Sequence, residues 1–190
     1  TAHLLGALVK KAGLPAGVLN IVHGLGSSCG QSIVAHPGIK AISFTGGTTT
    51  GEHIARTAAP MFKKLSLELG GKNPNLIFAD CDYDKMLTTT VRSSFANQGQ
   101  ICLCGSRVFV EESIYERFKT DFIARVLQLK IGHPSENSTI IGAVVSAAHS
   151  DKIVDYIAFA KANPNEYTII SGGKKVQVAG YENGYYLEPT

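Results

Sequence analysis

Cysteine is scarce in this chain: only Cys29, Cys81, Cys102 and Cys104 among 190 residues. Their spacing makes no disulfide framework, and a chain this long and this well supplied with apolar residues needs none. Cys102-Leu103-Cys104 has no histidine or second cysteine pair at zinc-ligand spacing, so no metal site is expected. No apolar run is long enough to cross a bilayer. No cluster of lysine and arginine with interleaved aromatics offers itself to nucleic acid, and the net charge of +3 is a mild excess spread over the chain. Internal repeats, low-complexity tracts and evident linkers are missing too. The six histidines (His3, His23, His36, His53, His133 and His149) are scattered, none at ligand spacing, and read as surface or satisfied core residues. Free thiols suit a reducing compartment, and a cytoplasmic location is expected. The chain begins at Thr1 and stops within a strand-like stretch, Tyr185 to Thr190, so it reads as an internal piece; the missing signal peptide carries no information. What is present, 44% hydrophobic and 17% charged residues, is a soluble, globular balance rather than a disordered one.

The patterning alternates helix and strand. Ala2 to Lys11 reads as a helix ended by Gly13 and Pro15. Strands are expected at Val18–Val22, Ile39–Phe44 and Lys64–Leu69. Helical patterns fall between them, through Ile33 and Val34 and then over Thr48–Ala59. This order predicts a parallel sheet with crossover helices. After Gly70-Gly71, the best boundary, strands are expected at Pro74–Phe78, Arg107–Val110 and Tyr167–Ile170. Helices are expected over Tyr83–Asn97, after a Ser113 cap, and over Ser146–Asn163. In the Ser113 helix Ile114, Phe118, Phe122, Val126 and Leu129 share one face.

Two glycine loops suggest phosphate contact. Gly24-Leu25-Gly26-Ser27-Ser28-Cys29-Gly30 departs from the dinucleotide fingerprint in spacing and lacks the acidic residue that would follow the next strand, so it reads as a tight turn. Phe44-Thr45-Gly46-Gly47-Thr48-Thr49-Thr50-Gly51 carries a strand into two glycines and a helix N-terminus. Backbone N–H groups and the helix dipole there favour an anion such as a diphosphate, with a plain turn as the alternative.

Two segments carry reactive groups. In Asn97-Gln98-Gly99-Gln100-Ile101-Cys102 a polar turn precedes a cysteine. A thiol on such a turn meets substrate, and neighbouring N–H groups stabilise thiolate or oxyanion. The alternative makes Cys102 and Cys104 core residues of an apolar strand. In Lys64-Leu65-Ser66-Leu67-Glu68-Leu69-Gly70-Gly71-Lys72 a carboxylate sits among leucines. Burial there would raise its pKa towards that of a general base; the alternative is a strand-end glutamate facing solvent or paired with Lys72.

Together these segments resemble the NAD(P)-dependent aldehyde dehydrogenases. That family has an E-L-G-G-K segment bearing a base and a G-Q-x-C segment bearing a nucleophile, matched by Glu68–Lys72 and Gly99–Cys102, 34 residues from Glu68 to Cys102. Its F-T-G-S, A-G-x-P-x-G-V-x-N and Y-x-x-P-T segments match Phe44–Gly46, Ala12–Asn20 and Tyr186–Thr190, so the resemblance runs the length of the chain in order. It implies an aldehyde dehydrogenase fold fragment of α/β class. Residues 1–70 would be part of a Rossmann-like cofactor-binding domain, and residues 71–190 part of the catalytic, thiol-bearing domain. It implies covalent catalysis by Cys102, with its backbone N–H as one oxyanion donor, and deacylation by water activated by Glu68. It further implies NAD, or alternatively NADP, held by Gly46, Gly47 and Leu69, an aldehyde as small-molecule substrate, and a dimeric or tetrameric parent. Gly47 stands where the family has serine, which removes a hydroxyl contact and leaves backbone contacts. The family's oxyanion asparagine, ribose-binding lysine and ribose-binding glutamate have no counterpart in the segment, so the isolated piece is expected to be inactive.

At finer grain, Lys63–Glu68 and Val91–Asn97 look like the branch acting on 2-aminomuconic or 2-hydroxymuconic semialdehydes. A CoA-acylating relative would share Cys102 but release the acyl group to CoA; a non-catalytic or truncated relative would keep the fold without turnover.

Overall fold

The computed structural model describes residues 2–190. The chain divides into two compact units, the first ending at Gly70 and the second spanning Gly71–Thr190.

The first unit opens with helix α1 (Ala2–Lys11), with Lys10 and Lys11 in its last turn, where cations suit the helix dipole. The strand expected at Val18–Val22 does not form: this stretch is irregular, and Val18, Leu19 and Val22 are exposed. A β-branched run becomes a strand only by pairing, and among the described residues no neighbour pairs with it. The glycine loop continues as a π-helical turn over Gly26–Gly30 and then helix α2 (Gln31–Ala35), which stops two residues before Pro37. Strand β1 (Ala41–Gly46) lies parallel to β2 (Lys64–Leu69), with Thr45 opposite Glu68 and Gly46 opposite Leu69. The connecting helix α3 (Thr48–Ala58) buries Gly51, Ile54 and Ala58, the i, i+3, i+7 face of an amphipathic helix. Buried Lys63 donates through Nζ to the carbonyls of Val34 (2.5 Å) and His36 (2.8 Å), closing the C-terminal end of α2.

In the second unit β3 (Pro74–Ile77) pairs in parallel with β4 (Arg107–Val110). Between them runs α4 (Tyr83–Phe95), capped by Asp82, whose carboxylate accepts from the Lys85 N–H at 3.3 Å. Helix α5 (Tyr115–Val126) follows β4. Its expected cap is corrected. Ser113 lies inside a 3₁₀ turn over Glu112–Ile114, Ile114 occupies the cap position, and Ser113 Oγ donates to the Glu111 carboxylate at 2.6 Å. The hydroxyl hydrogen goes to a charged acceptor one residue before the turn. The apolar face read for this helix does pack. Ile77, Leu87 and Phe118 form the buried centre, with Tyr83, Met86, Val108, Val110, Ile114 and Phe122 against it. Burial of side chains such as Leu87 and Phe118 contributes about 1.5–3 kcal/mol each.

Ser146 caps α6 (Ala147–Ala162), accepting from the His149 N–H at 3.2 Å. Tyr167–Ile170 is irregular rather than a strand; the short antiparallel pair β5 (Lys175–Val176) and β6 (Tyr186–Leu187) forms instead. Gly172 and Gly173, both at positive φ, wrap the chain around Pro189 and Thr190, and the Gly173 N–H donates to Thr190 Oγ1 at 2.8 Å. No helix among the described residues is long and apolar enough to cross a membrane.

Candidate active site

Strand alternation decides the environment of Glu68. In β2 the half-buried positions are Leu67 and Leu69, so Glu68 falls on the opposite face and is exposed. The burial among leucines is therefore not found, and the solvent-facing alternative read for Glu68 holds. The leucines flank Glu68 in sequence but point away from it. Leu69 packs towards α3. A Cβ placed on Gly51 would lie 2.5 Å from Leu69 Cδ2, so the missing side chain lets the helix settle on the strand.

Gly46 and Gly47 join β1 to α3. A Cβ on Gly46 would run into the Phe44 ring, whereas one on Gly47 would meet nothing within 4 Å. Gly47 is the N-cap of α3, with φ −75° and ψ 149°, and no side chain caps the helix. The N–H groups of the first turn of α3 thus face open space at the positive end of the helix dipole, an arrangement that suits a diphosphate.

In the second unit the helix-to-strand connection builds the thiol's seat. After α4 the backbone turns left-handed at three successive residues, Asn97 (φ 50°), Gln98 (φ 55°) and Gly99 (φ 70°). Such a conformation costs an L-residue roughly 1–2 kcal/mol, so its persistence at Asn97 and Gln98 requires support from the surroundings. Ile101 to Cys104 then forms a β-turn closed by the Cys104 N–H to the Ile101 carbonyl at 2.9 Å. Cys102 occupies the first corner of that turn. It is exposed, whereas Cys29 and Cys81 are half-buried and Cys104 is buried. The reading of both Cys102 and Cys104 as core residues therefore holds for Cys104 alone. Among the described residues the Cys102 N–H has no acceptor, which leaves it free for a developing oxyanion.

One participant lacked a sequence signal. Asn73, at the entry to β3, donates through Nδ2 to the Cys102 carbonyl at 2.7 Å and the Cys104 carbonyl at 3.1 Å. Beside it, the Arg107 guanidinium donates twice to the Lys72 carbonyl, at 3.0 and 2.7 Å, and Ser93 and Ser94 secure Gly105. Lys72 Nζ donates to the Gly71 carbonyl at 3.2 Å. No group of three or more His, Cys, Asp or Glu residues able to hold a metal occurs among the described residues.

Known proteins share this sequence and arrangement. The profile of the aldehyde dehydrogenase family matches residues 1–190. The human 2-aminomuconic semialdehyde dehydrogenase is 47% identical over 191 residues, covering all of this chain and 39% of that protein. The 2-hydroxymuconic semialdehyde dehydrogenase of Pseudomonas putida is 42% identical over 192 residues, again with 39% of its length covered. The chain therefore spans about two fifths of the length of these relatives. The crystal structure of a betaine aldehyde dehydrogenase from Staphylococcus aureus in complex with NAD+ superimposes with a TM-score of 0.91 at 37% identity, over 98% of this chain and 37% of that one. The α/β fold is thus that of an aldehyde dehydrogenase segment, and the chain belongs to the aldehyde dehydrogenase family.

Proposed function

We propose that this chain is a segment of an enzyme that oxidises an aldehyde to a carboxylic acid with NAD, or NADP, as hydride acceptor. The first unit would belong to the cofactor-binding domain and the second to the catalytic domain. The observation that carries the reading is Cys102: an exposed thiol at the corner of a β-turn, beside its own unpartnered N–H, within the G-Q-x-C segment.

In the mechanism Cys102 Sγ attacks the aldehyde carbon and forms a C–S bond. The carbonyl oxygen takes up negative charge, stabilised by the Cys102 N–H. Bound NAD supplies the acceptor for the hydride lost as this adduct collapses to a thioester on Cys102. Gly46 and Gly47 would hold its diphosphate against the N-terminus of α3, with Leu69 completing the contacts beside the base. Glu68 then takes a proton from water, the hydroxide attacks the thioester, and the acid leaves as the thiol is regenerated.

The similarity to the muconic semialdehyde dehydrogenases favours a semialdehyde of that type as substrate. We infer that the 190-residue chain alone is inactive and that the complete enzyme is a homodimer or homotetramer. NADH formation from 2-aminomuconic semialdehyde by the complete polypeptide, absent in Cys102→Ser and in the isolated chain, is the expected result. NADH formation by folded Cys102→Ser would remove the nucleophile assignment. Dependence on CoA would reassign the acyl acceptor.

A further inference from the structure

We propose that Asn73 is a positioning residue for the nucleophile: its side-chain amide holds the carbonyls of Cys102 and Cys104 and so fixes the direction in which the Cys102 thiol and N–H face substrate. This rests on the reading of Cys102 as the nucleophile.

The geometry is specific to the turn. Cys102 and Leu103 are its two central residues, and the peptide that joins them is the one that turns over between the common turn types. Its carbonyl is the Cys102 carbonyl, and Asn73 Nδ2 grips it at 2.7 Å. A peptide unit is planar, so holding the oxygen also sets ψ of Cys102 and, through it, the orientation of the residue's Cα–Cβ bond. The second bond, 3.1 Å to the Cys104 carbonyl, ties the far end of the same turn to the same side chain. Both hydrogens of one amide are thereby used on the carbonyls either side of Leu103, the turn's second corner. Gly71 completes the seat: a Cβ there would come within 3.2 Å of the Cys102 oxygen, so the glycine leaves that oxygen room to settle where Asn73 meets it. Preceding the turn, Asn97 and Gln98 adopt the left-handed conformation, a strained entry to it. Asn73 thus adds, from just before β3, a restraint to the turn beyond its own closing bond.

The test uses the complete polypeptide with three variants. Asn73→Ala removes the amide. Asn73→Asp keeps its shape but replaces the donor with a carboxylate facing two carbonyls. Asn75→Ala, two residues further along and within β3, is the structural control, losing an amide bond of 3.1 Å to Thr90. The first readout is the pH profile of Cys102 alkylation by iodoacetamide, resolved from the other thiols by peptide mass spectrometry. The second is the NADH burst, with kcat and KM for NAD determined separately. Both Asn73 variants are expected to alkylate Cys102 about tenfold more slowly at neutral pH, the scale of losing hydrogen bonds of ordinary strength. Their profiles shift to higher pH, and kcat falls while KM for NAD holds. Asn75→Ala lowers the melting temperature and leaves the alkylation profile in place. Folded Asn73 variants whose profile and kcat stay within twofold of the parent would overturn the proposal, as would an equal shift in Asn75→Ala. A parent that makes no NADH while its Cys102 reactivity depends on Asn73 would instead refute the enzymatic reading and leave the positioning role standing.

Discussion

Replacing Gly172 by alanine should be far more damaging than the same replacement at Gly180, although the two glycines have nearly the same backbone conformation. Gly172 has φ +75° and Gly180 has φ +79°, both in the left-handed region that an L-residue avoids. The conformational penalty is therefore similar, about 1 kcal/mol. The surroundings differ. A Cβ on Gly180 meets nothing within 4 Å, so the conformational penalty is the whole effect. A Cβ on Gly172 would run into the Pro189 carbonyl oxygen, with the carbonyl carbon at 2.9 Å and Thr190 Oγ1 at 2.8 Å. These are mostly backbone atoms, which cannot swing aside as a side-chain tip can. Displacing them would also break the Gly173 to Thr190 bond and strain the bond from the Glu188 N–H to the Lys174 carbonyl at 3.0 Å. Overpacking of this kind adds about 2 kcal/mol, for a total near 3 kcal/mol at Gly172 against about 1 at Gly180. Urea denaturation followed by circular dichroism reads the difference, since at constant slope the midpoint shift is proportional to the stability change. Equal midpoints for Gly172→Ala and Gly180→Ala would show that Pro189 does not sit against the glycine turn, and the steric account would fall.

Gly47→Ser should stabilise the first unit by about 0.5–1 kcal/mol. The hydroxyl can cap α3 in space that is open, and serine reduces the freedom of the unfolded chain. A lower melting temperature in this variant would refute the open-cap geometry. Glu111 accepts from Ser113 Oγ at 2.6 Å and from the Ala79 N–H at 2.8 Å, and these bonds, Ser113 first, hold its carboxyl below the usual range. The unfolded state thus binds the proton more readily, so the contribution is present at neutral pH and is lost as pH falls through the folded value. The stability gap between parent and Glu111→Gln should accordingly narrow as pH falls from neutral through the lowered folded value; a gap that stays constant from neutral to acid pH would contradict this.

Much of the fold was legible because its signals are local. α1, β2 and β4 occupy the ranges read from apolar periodicity and breakers, and Ser146 starts α6 as a serine before a helical pattern should. The strands expected at Val18–Val22 and Tyr167–Ile170 failed because strand formation depends on a partner remote in sequence, which an apolar run does not disclose. Ser113 failed as a cap because a 3₁₀ turn contains it and the α-helix begins two residues later. At the candidate site, the spaced motifs singled out Cys102, and the structure put it at an exposed turn. Of the two environments read for Glu68, the solvent-facing one holds over burial among leucines, since adjacent residues in a strand face opposite ways. Asn73 was invisible in sequence because its two bonds join residues about thirty positions apart, and no local pattern marks an asparagine that will reach across to another turn.

Among the described residues, pairing in both parallel sheets stops at two strands, β1 with β2 and β3 with β4. Each strand therefore presents one flank of N–H and C=O groups without a sheet neighbour, and such flanks template association with any extended chain nearby. Lys64 and Glu68 on β2 and Arg107 at the start of β4 place charge along those flanks, which discourages edge-to-edge stacking. Handled at high concentration without further strands to lay alongside, the chain is accordingly a candidate for self-association through its sheets, and added salt, by screening those charges, should hasten it.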